Sequence, residues 1–160
     1  MLITKENLKA CLREVPPLFR TAKMPVHAAW LAGSAARIYF GKHTTQTNDL
    51  DVFVEGPRWN DDRLKPLGVP YKKTGFGDYK LTLPSGLVID LMFGHLGKYM
   101  RQVPTAWDGI VVNVFNETIL TTTEFWSPTN FEIITRATRK PDYLPYYIDH
   151  LRKQGIPISA

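Results

Sequence analysis

The chain has 160 residues, a formal charge of +5 and a pI near 9.4, with 44% hydrophobic and 22% charged residues. That length suits one domain over residues 1–160 with its own core, and the composition excludes wholesale disorder. One cysteine (Cys11) excludes an intramolecular disulfide or Cys-rich zinc site, and no run approaches the ~20 apolar residues of a membrane span.

In chain order, Leu8, Cys11, Leu12 and Val15 recur at helical spacing, and Pro16-Pro17 is expected to close that helix. The opening residues lack the apolar core of a signal peptide, so a cytoplasmic protein is expected. Val26 to Ala32 reads as a buried strand ending at Gly33, with Ser34 placed to cap a helix carrying Ala35, Ala36, Ile38 and Tyr39. A polar loop from Gly41 to Asn48 leads into the strand Leu50 to Val54. Trp59 to Leu67 predicts a short helix before Gly68. Tyr79–Leu83 and Leu87–Phe93 flank Pro84-Ser85-Gly86 as a hairpin. Ile110–Phe115 and Thr118–Thr122 suggest another β pair. A C-terminal helical portion is expected over about 128–154: one helix from near Pro128 or Thr129, then one with Leu144, Tyr147, Ile148 and Leu151 on one face. The order predicts an α+β protein with a mixed central sheet flanked by helices.

Three local features carry chemistry. Leu31-Ala32-Gly33-Ser34-Ala35-Ala36-Arg37 runs a strand through Gly-Ser into a helix, where free N–H groups favour phosphate. In Asn48-Asp49-Leu50-Asp51 the two carboxylates share a strand face and repel unless a cation separates them. A hard divalent ion such as Mg²⁺ is the natural occupant. In Leu87-Val88-Ile89-Asp90-Leu91-Met92-Phe93 a lone acid interrupts an apolar strand, so Asp90 needs a metal, a basic partner or water. Each feature alone also has a plain structural reading: a capped turn, a solvated acid pair, an acid at a sheet edge.

Together they resemble the nucleotidyltransferase superfamily that includes DNA polymerase beta, over about residues 26–93. The Gly-Ser-Ala-Ala-Arg string is most similar to the head of tRNA nucleotidyltransferases and bacterial poly(A) polymerases. This resemblance implies that Asp49, Asp51 and Asp90 are catalytic and hold two Mg²⁺ (or Mn²⁺) ions, and that Gly33 and Ser34 contact the phosphates of an NTP such as ATP. It leaves Arg37 either at those phosphates or paired with an acid. Ile38 stands where the family usually has an acid, and 160 residues leave no room for the helical regions that select nucleotides and hold tRNA.

The implied activity is transfer of an NMP from an NTP to a hydroxyl, with an RNA or tRNA 3′ end as acceptor; adenylylation of a protein or small molecule is the alternative. Arg136, Arg139 and Lys140 share a helical spacing that would suit an RNA or triphosphate backbone, or a merely solvated face. A non-catalytic binding module, and a subunit completed by a partner chain, are the rival readings.

Overall fold

The computed structural model describes residues 1–23, 26, 28–41, 44–74, 78–103, 106–122, 131–132, 144–153 and 158–159. Its centre is a seven-stranded mixed sheet. The strands are β2 (Ala29–Ala32), β4 (Leu50–Glu55), β5 (Tyr71–Lys73), β6 (Tyr79–Thr82), β7 (Val88–Gly94), β8 (Ile110–Asn113) and β9 (Ile119–Thr121). They lie in the order β5-β6-β7-β4-β2-β8-β9, and only β4 and β7 run parallel. A small ladder joins β1 (Ile3–Thr4) to β3 (Gln46–Thr47). A second joins β10 (Phe131–Glu132) to β11 (Ile158–Ser159).

Strand alternation divides the sheet into two faces. Ala29, Leu31, Leu50, Val52, Val54, Ile89, Leu91, Ile110 and Val112 point into the main core, together with Leu8, Cys11, Leu12, Val15, Phe19, Ala35, Ala36 and Ile38. The latter come from α1 (Leu8–Leu12), α2 (Val15–Thr21) and α3 (Gly33–Phe40), which cover this face. Each fully buried Leu or Ile there stabilises the fold by roughly 1.5–3 kcal/mol. The opposite face carries Trp30, Ala32, Phe53, Met92 and Val111, packed with Leu96, Tyr99 and Met100 of α5 (Leu96–Arg101).

Several sequence expectations need correction. Pro16 and Pro17 do not close the first helix, which ends at Leu12; they open α2. The first turn of a helix leaves its N–H groups unpaired anyway, so proline is at home there. Ser34 does not cap α3, because Ala32 is the N-cap residue and no side-chain cap bond forms. The first strand begins at Ala29 rather than Val26. The Trp59–Leu67 segment holds α4 (Asp61–Leu64), capped by the Asn60 side chain, followed by a 3-10 turn ending at Gly68. Phe131–Glu132 is a strand inside the segment expected to be helical from Pro128 or Thr129, because it pairs with Ile158–Ser159. The last expected helix is present as α6 (Leu144–Lys153), with Leu151 fully buried. The turn at Pro84-Ser85-Gly86 closes as expected, with Leu83 N–H donating to Leu87 C=O at 2.9 Å.

Candidate functional site

The site grows out of the sheet register. Asp51 on β4 lies directly opposite Ala32 of β2 on one side and Asp90 of β7 on the other. Lys80 of β6 is opposite Asp90 in turn. One transverse row of side chains thus reads Lys80, Asp90, Asp51, Ala32 on the face away from the main core. A neighbouring row, Met92, Phe53, Trp30, Asn113, is mostly apolar. Asp49, just before β4, meets this row through the Lys80 ammonium. One carboxylate oxygen from each of Asp49, Asp51 and Asp90 lies within 4.8 Å of the others, and all three residues are half-buried.

Three acids so close make ionisation costly. Burial, with the charges of Asp49 and Asp90, holds the Asp51 carboxyl well above its ordinary range, and Arg37 and Lys80 offset this only in part. Lys80 Nζ donates a hydrogen bond to Asp49 Oδ2 at 3.1 Å and lies 3.8 Å from Asp90 Oδ2. Burial draws the Lys80 ammonium downward, but the bond to Asp49 and the three acid charges raise it above the usual lysine value. The donor set is all carboxylate oxygen, the chemistry that hard divalent ions such as Mg²⁺ or Mn²⁺ prefer.

Gly33 occupies the turn from β2 into α3 with φ +59°. A Cβ there would fall on the Asp51 carboxylate, so only glycine lets the turn lie against the acid. Ser34 is the next residue, and its Oγ accepts from Arg37 Nη2 at 3.1 Å.

Arg37 is paired with an acid, one of the two arrangements expected of it. Its side chain is fully buried and ion-paired to Asp108 through Nη1. Its Nε donates to Thr44 Oγ1 at 2.9 Å, and Nη1 reaches Tyr147 Oη at 3.2 Å. Tyr147 donates to Asp108 Oδ1 at 2.8 Å. Burial and the Asp108 charge push the Tyr147 phenol well up, with Arg37 opposing. This cluster ties α3 to α6. Arg136, Arg139 and Lys140 lie outside the described residues.

Lys80, Thr44 and Asp108 escape a motif reading, and Tyr147 reads there as core. Lys80 alone leaves a signal. Tyr79, Leu81 and Leu83 alternate inward, so Lys80 must point the other way. Counting outward from the Pro84-Ser85-Gly86 turn sets it opposite Asp90.

The fold occurs in known structures. The fold is nucleotidyltransferase-like. A Thermotoga maritima CCA-adding enzyme complexed with tRNA superposes at a TM-score of 0.59 and 14% identity, covering 100% of this chain and 43% of that one. A CCA-adding enzyme with ATP gives 0.59 and 13%, covering 100% and 44%. A tRNA-processing enzyme complex gives 0.56 and 17%, covering 89% and 43%. This chain therefore spans less than half the length of those proteins. No protein-family model and no curated protein matches the sequence. Among the described residues, no helix is long and apolar enough to cross a membrane.

Proposed function

We propose that the chain is a Mg²⁺-dependent nucleotidyltransferase that moves an NMP from an NTP such as ATP to the 3′ hydroxyl of an RNA, with tRNA as the leading candidate. The observation that carries this reading is the convergence of Asp49, Asp51 and Asp90 within 4.8 Å, beside the Gly33 turn, on this fold. The net charge of +5 and the tRNA and nucleotides bound by similar structures support the substrates.

Divalent metal held by Asp49, Asp51 and Asp90 would supply the positive charge that acidifies the acceptor hydroxyl and stabilises the departing pyrophosphate. The rest falls to the chain itself. Free N–H groups at the start of α3, exposed by the bare Cα of Gly33, bind the triphosphate oxygens. Arg37 fixes Ser34 and the α3 start from beneath. Asp90 accepts the proton of the acceptor hydroxyl. The acceptor oxygen then bonds to the α-phosphorus as the bond from that phosphorus to the bridging oxygen breaks, releasing pyrophosphate.

The test is incubation with each α-labelled NTP and Mg²⁺ or Mn²⁺, offering total tRNA, a generic RNA and cell lysate. Label on tRNA or RNA, lost in Asp49→Ala/Asp51→Ala, is the expected result. Label on a protein instead would reassign the acceptor. No transfer together with no metal-dependent NTP binding would sink the reading.

A further inference from the structure

The acid triad does not account for Lys80. Its ammonium bridges two of the three carboxylates, at 3.1 Å from Asp49 and 3.8 Å from Asp90. Register carries the row one strand further, since Lys72 of β5 lies directly opposite Lys80. Two lysines facing each other across a strand pair repel. Here the inner one turns to the carboxylates, while Lys72 is exposed. The Lys80 side chain is itself 35% exposed. Its flexible stem therefore has a route from the acids to solvent.

We propose that Lys80 is a resident counter-cation: it holds Asp49 and Asp90 together before a divalent ion arrives, and it competes with that ion for the same two carboxylates. This rests on the reading of the three acids as metal ligands. An ammonium hydrogen-bonded to Asp49 Oδ2 and a divalent ion sharing that carboxylate would sit only a few ångströms apart. Like charges at such separations repel strongly even at the effective dielectric of a protein surface. Metal entry thus requires Lys80 to swing out. Affinity for the metal alone is set by that displacement as well as by the acids.

The full chain would be titrated with Mn²⁺ alone, following free Mn²⁺ by electron paramagnetic resonance, for wild type, Lys80→Met, Lys80→Gln and Lys72→Met. Circular dichroism would verify each fold. The glutamine variant removes the charge but can still donate to Asp49, which guards against a folding defect. Both Lys80 variants should bind Mn²⁺ about tenfold or more tightly than wild type. Lys72→Met removes the same charge one strand farther out, roughly 4.8 Å away, and should change affinity by no more than about twofold. The thermal midpoint of Lys80→Met in EDTA should fall, since its carboxylates lose their counter-charge. Unchanged or weaker binding in folded Lys80 variants overturns the proposal, as does equal tightening in Lys72→Met. No saturable Mn²⁺ binding by wild type or any variant removes the metal site itself, which is a separable failure.

Discussion

Gly33 and Asp51 are in contact such that no other residue fits at position 33: a Cβ added there would fall on the Asp51 carboxylate. The positive φ of +59° compounds the exclusion. Gly33→Ala is expected to lower unfolding free energy by about 1–3 kcal/mol. It should also weaken stabilisation by Mg²⁺, because the acid must shift to make room. Urea unfolding with and without Mg²⁺ measures both effects. A variant as stable and as responsive to metal as wild type would show that the turn does not press on the acid.

The ion pair between Arg37 and Asp108 joins the α3 turn to the buried side of α6 through Tyr147. Removing one member strands the other in a dry site. Arg37→Met should cost about 3–5 kcal/mol, and adding Asp108→Leu should recover much of the loss. The comparison is of denaturant midpoints at equal m-value. A single variant within about 0.5 kcal/mol of wild type would contradict the burial and pairing.

Asp51 is placed at a cost to the fold. Its carboxyl is raised by burial and by Asp49 and Asp90, so ionising it works against the folded state. Asp51→Asn is therefore expected to raise the melting temperature in EDTA while abolishing the rise that Mg²⁺ gives wild type. Thermal unfolding in EDTA and in Mg²⁺ separates the two effects. A fall in EDTA would mean that Asp51 is a net stabilising group.

Tyr39 provides a handle on alkaline pH. Its phenol donates to Glu117 Oε1 at 2.7 Å, and burial together with that bond and the Glu117 charge pushes it from 10.0 up to about 12. The folded state thus keeps its proton longer than the unfolded chain does. This contribution is fully present below pH 10.0 and is lost as pH rises through about 12. A spectrophotometric titration should show Tyr39 among the late-ionising tyrosines, with Glu117→Gln bringing that one back towards 10.0. Identical titrations of the two proteins would remove the coupling.

Much of the architecture is legible in local pattern. The apolar run to Ala32, the Gly33 turn, the alternation around Asp51 and the hairpin about Gly86 are short-range signals, and they build the centre of the sheet. What escaped depends on long-range pairing. Tyr71-Lys72-Lys73 has no alternation to mark it and becomes a strand by pairing with β6. Gln46–Thr47 is a strand only because Ile3–Thr4 lies beside it. The partner of Arg37 stands 71 residues away at Asp108, beyond any motif. Pro16-Pro17 misled because proline stops one helix as readily as it starts the next. The acids announced themselves by breaking a hydrophobic pattern, whereas Lys80 sits on a face where a lysine breaks none.

The most direct test of nucleotidyl transfer uses ATP labelled in parallel at the α- and γ-phosphates, with Mg²⁺ and tRNA. The α label should move to the tRNA and the γ label should leave as pyrophosphate, both requiring metal and both lost in Asp49→Ala/Asp51→Ala. Transfer of the γ label to an acceptor, or α-label transfer that survives in the double variant, would contradict the assignment of the acids and of the reaction.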